Sequence, residues 1–185
     1  FLVGASDETD ADIIHATSGL YERLGLSRVY FSAYQQGLGD PSLPGERRNV
    51  PPEETLMREH RLYQVDWLLR KYGFRADEIP LNPGGNLSLA TDPKELWARR
   101  HPERFPVDVN RADREELLRV PGLGEVTVGR ILELRSGGGR VRRLEQIGRV
   151  GKRLVKAAGY IKFGDVRPAR RVGQKRLAFS PVGTE

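Results

Sequence analysis

The chain has 185 residues, 38% hydrophobic and 30% charged, which suits one large or two small globular domains. It has no cysteine, so disulfides, thiolate metal sites and a cysteine nucleophile are excluded within it. No apolar run is long enough to span a membrane, no signal-peptide pattern is present, and a cytoplasmic location is expected. The first residue is Phe1 and not Met, which reads as a start inside a longer protein. The net charge of +6 is unevenly spread. Up to residue 107, 13 Lys or Arg face 16 Asp or Glu, a net of −3; from residue 108 on, 18 face 9, a net of +9. A basic half joined to a mildly acidic one points to a polyanionic partner for the basic half alone.

In chain order, Phe1–Val3 reads as a short strand running into Gly4. Thr9 or Asp10 can cap a helix from Ala11, with Ile13, Ile14, Thr17, Leu20, Tyr21 and Leu24 on one face and Gly25 to end it. Val29–Tyr34 is β-branched and aromatic, a buried strand, so the segment is one βαβ unit. The Gly- and Pro-rich stretch 36–52 is a loop. A helix follows over 52–72, with Leu62, Val65, Leu69 and Tyr72 on one stripe and Leu68 bordering it. Asn82–Asn86 is a turn or linker, and Asp92 with Pro93 starts a short helix carrying Leu96 and Trp97. Pro102 and Pro106 mark the boundary between halves. After Gly164 the sequence loses all period and reads as an extended basic arm.

The strongest signal is internal. Leu117, Val120, Leu123 and Gly124 recur 27 residues later as Leu144, Ile147, Val150 and Gly151. The match extends to Val128 with Val155, Ile131 with Ala158 and Leu134 with Ile161. Helix, tight hairpin and helix are used twice. In the first copy Asn110 is the expected cap of the entering helix, with Asp113 at N3. Val120–Gly124 is the hairpin, Leu123 plugs the gap between helices, and a helix opens near Glu125. A helix N-terminus behind glycines leaves unpaired amides and partial positive charge, and a phosphate satisfies both. Such contacts read backbone and not bases. In the second copy Gly148-Arg149-Val150-Gly151 replaces Pro-Gly-Leu-Gly, so side-chain contacts from Arg149, Lys152 and Arg153 are expected there. Gly137–Gly139 with Arg140, Arg142 and Arg143 makes the connector basic and flexible.

Val109-Asn110-Arg111-Ala112, Leu117, Val120–Gly124, Ile131 and Arg135 resemble the helix-hairpin-helix family of DNA repair and competence proteins. The resemblance implies two motifs about a pseudo-twofold axis, gripping duplex DNA by its phosphate backbone on the minor-groove side. It implies that Gly122, Gly124 and the amides of Leu123 to Val126 hold a phosphate, with a monovalent cation among the hairpin carbonyls. The expected DNA-binding set is Pro121, Gly122, Leu123, Gly124, Glu125, Val126, Thr127, Arg130, Arg149, Gly151, Lys152 and Arg153. A purely structural or protein-binding hairpin is the competing reading.

Residues 1–107 resemble the end of a radical SAM (β/α) barrel, on Phe1–Thr9, Arg28–Tyr34 and Arg58–Trp67, leading through His101–Asn110 into the hairpins. The expected fold is therefore α/β plus all-α: a partial (β/α) barrel segment with linker over 1–106, a tandem helix-hairpin-helix over 107–163 and a basic tail over 164–185. The resemblance implies a DNA modification or repair protein linked to a uracil-DNA-glycosylase-type partner. A 4Fe–4S cluster needs thiolates, so the cluster and S-adenosylmethionine are expected only in the full-length protein, as is the enzyme activity. Gly4, Ala5, Ser6, Asp7 and Glu8 form a candidate cofactor-facing loop, with capping of the next helix as the competing role. His15 and His101 have no partners suggesting a metal site, and His60, in a helix with Arg58, Glu59 and Arg61, reads as a surface or helix-packing residue, with a base as the competing role. A non-catalytic adaptor that recruits a repair partner is the alternative; a competence-type DNA receptor fits less well, because no anchor segment is seen.

Overall fold

The computed structural model describes residues 1–164; the expected basic arm beyond Gly164 lies outside them. The molecule is mostly helical with four two-residue strands. Strand β1 (Leu2–Val3) leads through α1 (Asp10–Leu24) to β2 (Ser32–Ala33), and the strands pair in parallel, Leu2 with Ser32 and Val3 with Ala33. The expected βαβ unit is present, but the strand expected over 29–34 shortens to two residues. One reason is visible at the outer edge of β2. The Phe31 amide donates to the Tyr63 hydroxyl (3.1 Å) and the Ala33 amide to the Glu59 carboxylate (2.6 Å). Side chains satisfy this edge instead of a third strand, and no barrel segment is seen among the described residues.

Local chemistry sets the helix ends. Of the two candidate caps of α1, Thr9 does the work. Its hydroxyl accepts the Asp12 amide (3.2 Å), and the Asp12 carboxylate accepts the Thr9 amide (2.9 Å). Asp10 instead lies buried, accepting from the Arg58 guanidinium (2.6 Å) and the Leu87 amide (2.8 Å). Gly25 closes α1 at φ +62, a left-handed cap. The short α2 (Pro44–Arg47) interrupts the loop, and α3 (Pro52–Lys71) follows. On α3 the core takes Leu62, Val65 and Leu68, while Leu69 and Tyr72 are half-buried. In α4 (Pro93–Arg100) the Asp92 carboxylate accepts the amides of Lys94 (2.9 Å) and Glu95 (3.2 Å), as the Asp-Pro pair predicts.

The second unit begins at β3 (Val107–Asp108) and continues through α5 (Arg114–Arg119), α6 (Glu125–Ser136), α7 (Lys152–Ala157) and β4 (Ile161–Lys162). Strands β3 and β4 pair in parallel and close the unit, so Ile161 sits in a strand and not on a helix. Asp113, not Asn110, caps α5, with Glu116 completing the box. Asn110 takes another task. Its amide group bonds both backbone atoms of Val141 (2.9 and 2.8 Å) and reaches the Phe163 carbonyl (3.3 Å). The Gly137–Gly139 connector is thereby anchored at its far end. Its near end is tied by the Gly139 amide to the Leu134 carbonyl (2.9 Å).

Each unit has its own core, the first around Leu62, Val65 and Trp97, the second around Leu117, Leu118 and Ile131. Tyr72, Phe105 and Tyr160 pack against both. Across the seam the Arg119 guanidinium reaches Glu78 (2.7 Å) and the Gly73 carbonyl (3.1 Å) and lies 4.4 Å over the Phe74 ring. Lys156 pairs with Glu95 on α4.

Candidate nucleic-acid interface

The first hairpin forms as the spacing predicts. Leu123 is buried between α5 and α6, and Gly124 is the N-cap of α6. Gly122 has φ +88, which favours glycine. It has a second reason to be glycine that only the tertiary structure gives. A Cβ there would stand 2.1 Å from the Arg153 carbonyl oxygen and 3.0 Å from the Ala157 amide. The bare Cα of the first hairpin is pressed against the backbone of α7. Gly122 thus joins the two hairpins, whatever else it does.

Next to that contact the second copy departs from the first. The 27-residue repeat predicts that Val155 and Ala158 face the core, yet Leu154 and Ala157 are buried while Val155 is 60% exposed. Helix α7 has turned by one residue, about 100°. It offers a small residue, Ala157, to the close backbone approach. Val150, aligned with Leu123, is 42% exposed and plugs nothing.

A cleft of about 500 Å³ opens between the hairpins. Of the twelve expected DNA-binding residues, ten line it: Gly122, Gly124, Glu125, Val126, Thr127, Arg130, Arg149, Gly151, Lys152 and Arg153. Pro121 and Leu123 do not; both are buried, Leu123 in the second core, with its amide donating to the Val120 carbonyl (3.1 Å). Arg130, Arg149, Lys152 and Arg153 are exposed and make no ion pair among the described residues. Glu125 is matched by Arg114 (3.1 Å), so the acid in the cleft is already engaged.

Four lining residues lie outside the expected set: Gly148 and Leu154 of the second hairpin, and two from elsewhere in the chain. Trp67 and Tyr72 reach the cleft from α3 in the first half. Gly124 has an ordinary φ of −123, but a Cβ there would stand 3.3 Å from the Tyr72 hydroxyl. That phenol is pushed up by burial, an effect opposed by hydrogen bonding with Trp67 and the Glu125 amide. A tyrosine oxygen thus stands at the entrance to the α6 amides. No sequence period links α3 to a hairpin some 50 residues on, so only the fold reveals this.

Lys94 is the other surprise. It is buried, its ammonium donates to the Leu123 carbonyl (2.6 Å) and lies 4.5 Å over the Tyr72 ring. Burial draws it down to about 7, against a weak upward pull from Asp92. The resemblance implied a monovalent cation among the hairpin carbonyls. Here the Leu123 carbonyl is taken by the protein's own ammonium, so this carbonyl does not fit an added cation without displacing Lys94.

The candidate cofactor loop follows β1. The Glu8 carboxylate accepts the Gly4 amide (2.7 Å) and the Ser6 hydroxyl (2.5 Å), and Arg58 lies at 3.4 Å. Burial alone would raise this carboxyl, but those partners hold it below its ordinary value. Arg48 pairs with Asp7 (3.5 Å) and donates to the Ser6 carbonyl (2.5 Å). Gly4, Asp7 and Glu8 line a cavity of about 900 Å³ at the carboxyl ends of β1 and β2; Ala5 and Ser6 do not. Among the described residues there is no cluster of metal-ligating side chains, and no helix is long and apolar enough to cross a membrane.

Residues 104–161 match the helix-hairpin-helix motif model. The match runs from the turn before β3 to the first residue of β4 and takes in both hairpins. The chain therefore contains a helix-hairpin-helix motif, a motif commonly involved in DNA binding without sequence specificity. No curated protein and no solved structure matches the chain.

Proposed function

We propose that this chain binds duplex DNA through its phosphate backbone, without sequence preference, at the cleft between the hairpins. The observation that carries the reading is the set of four exposed cations on one cleft, Arg130, Arg149, Lys152 and Arg153, with no acidic partner among the described residues. Phosphates are the natural counter-charge for such a cluster, and their release of counterions drives binding. The first-hairpin amides contribute less than the sequence suggests, because Tyr72 stands beside them. Side chains of the second hairpin carry the larger share. The minor-groove approach belongs to the same proposal and rests on the resemblance alone. Titrating two duplexes of unrelated sequence by fluorescence anisotropy tests it. Affinities within about threefold are expected, since phosphate contacts carry no base information. A hundredfold preference for one duplex would contradict it.

For the whole protein we propose the radical SAM-type DNA modification or repair context. Its support is the parallel βαβ unit, whose two strands end on the 900 Å³ cavity, where (β/α) proteins build their sites. The 185 residues contain no cysteine to ligate a cluster, so neither cluster nor S-adenosylmethionine is assigned to this chain. A glycosylase-type partner and a cytoplasmic location belong to the same proposal. The adaptor alternative has no separate observation in its favour.

A further inference from the structure

Helix α3 belongs to the first half, yet it sends Trp67 into the cleft between the hairpins. The chain has two tryptophans. Trp97 is 2% exposed and packs in the core; Trp67 is 42% exposed. The core stripe of α3 runs through Leu62, Val65 and Leu68, so the indole lies outside the core, beside Tyr72. It is nevertheless held in place. The Arg70 guanidinium lies over its ring, 5.7 Å from the centroid, and is itself pinned to Asp66 at 2.6 Å. A large aromatic surface is therefore kept exposed and oriented beside four cations that lack acidic partners.

We propose that this cleft takes an unpaired nucleobase, stacked on Trp67, from the nucleic acid whose phosphates the hairpins hold. The proposal rests on the phosphate-grip reading and goes beyond it by naming the kind of DNA preferred. The neighbours of Trp67 decide the ligand class. An apolar protein surface docking here would bury Arg130, Arg149 and Lys152 without counter-charges, at a steep desolvation cost. A nucleotide brings a π-face and an anion together, and aromatic side chains among cations are the usual platform for unpaired bases. A cleft of about 500 Å³ is of the size that holds small ligands. A base inside a continuous duplex has both faces covered by its neighbours and offers none to Trp67. The preferred substrate is thus a duplex with unpaired nucleotides: a single-strand extension, a gap or a flap.

The test uses the full chain and two DNAs, a blunt duplex and the same duplex with a short single-strand extension. The extended DNA is expected to bind tighter, roughly 5–100-fold, the range that one base–aromatic stack supplies. It is also expected to quench tryptophan fluorescence more strongly than the blunt form, with buried Trp97 as constant background. In Trp67→Ala the ratio of the two affinities should fall to within about twofold and the extra quenching disappear. Trp67→Phe, which keeps a ring, should retain part of the preference and serves equally if the alanine variant does not fold. Equal affinity of the native chain for the two DNAs overturns the stacking site while leaving the phosphate grip intact. So does a preference that survives in Trp67→Ala. Failure to bind either DNA overturns both readings, and tight capture of an apolar protein at the cleft in place of DNA would do the same.

Discussion

In the first half most guanidiniums that reach the interior meet a carboxylate, while the buried Arg61 bonds the Gln64 side chain and the Leu89 carbonyl instead. Arg58 meets Glu8 and Asp10, Arg70 meets Asp66, and Arg48 meets Asp7. In the hairpin unit Arg119 pairs with Glu78 at the seam and Arg114 takes up Glu125 on the cleft wall, while Arg130, Arg149, Lys152 and Arg153 have no such partner among the described residues. The same residue types therefore do two jobs. Matched and partly buried, they fix one loop or helix against another; unmatched and exposed, they create a field for a polyanion. The net −3 and +9 of the two halves foreshadow this, but the division is finer than the halves.

The largest expected effect separates those two uses directly. Arg149→Ala, Lys152→Ala and Arg153→Ala combined should weaken duplex binding on the order of 10²-fold near physiological salt, from the loss of three phosphate contacts. Removing the exposed, acid-paired Arg75 and Arg99 together should change it less than about twofold by the same measure. Equal losses in the two variants would erase the distinction.

Next in size is Gly122→Ala. A side chain there is strained by the backbone and collides with the Arg153 carbonyl, so a loss of about 2–3 kcal/mol in urea unfolding is expected. Gly124→Ala should cost less than about 1 kcal/mol, because its backbone suits any residue and the nearest atom is a hydroxyl at 3.3 Å. If Gly122→Ala left stability unchanged while DNA binding fell, the glycine would serve phosphate and not packing. Asn110→Ala should cost about 1–2 kcal/mol by leaving the Val141 amide without its partner.

The last effect is a slope, and it is read in stability alone. Lys94 is lowered from 10.5 to about 7 in the folded chain, so between those values the unfolded chain binds more protons. Stability from this group therefore rises with pH across that window, by at most about 1.4 kcal/mol per unit. In Lys94→Met that rise should vanish from urea unfolding measured between pH 7 and 10. An identical rise in the variant would place the titration elsewhere.

The sequence made the first hairpin and the α1 and α4 caps legible, because each depends on neighbours within a few residues, and the βαβ pairing legible through the order strand, helix, strand. It misassigned Asn110 to a helix cap because the true partners, Val141 and Phe163, are distant in sequence. The repeat predicted equal burial for both copies. It could not register that α7 is turned by one residue where its backbone meets Gly122. It chose most of the cleft by motif but missed Trp67 and Tyr72, which arrive from another unit, and Lys94, whose surface-type side chain is buried under the hairpin. The signals it lacked were all tertiary.

The central claim is that unmatched cleft cations, and not the matched ones, hold the phosphates. Its most direct test is the dependence of duplex affinity on salt, plotted log against log, for the native chain and for the Arg149, Lys152 and Arg153 triple-alanine variant. Four contacts predict a slope of about −4 for the native chain, falling to about −1 in the variant. A slope near zero in the native chain, or one unchanged by the three substitutions, would contradict the account.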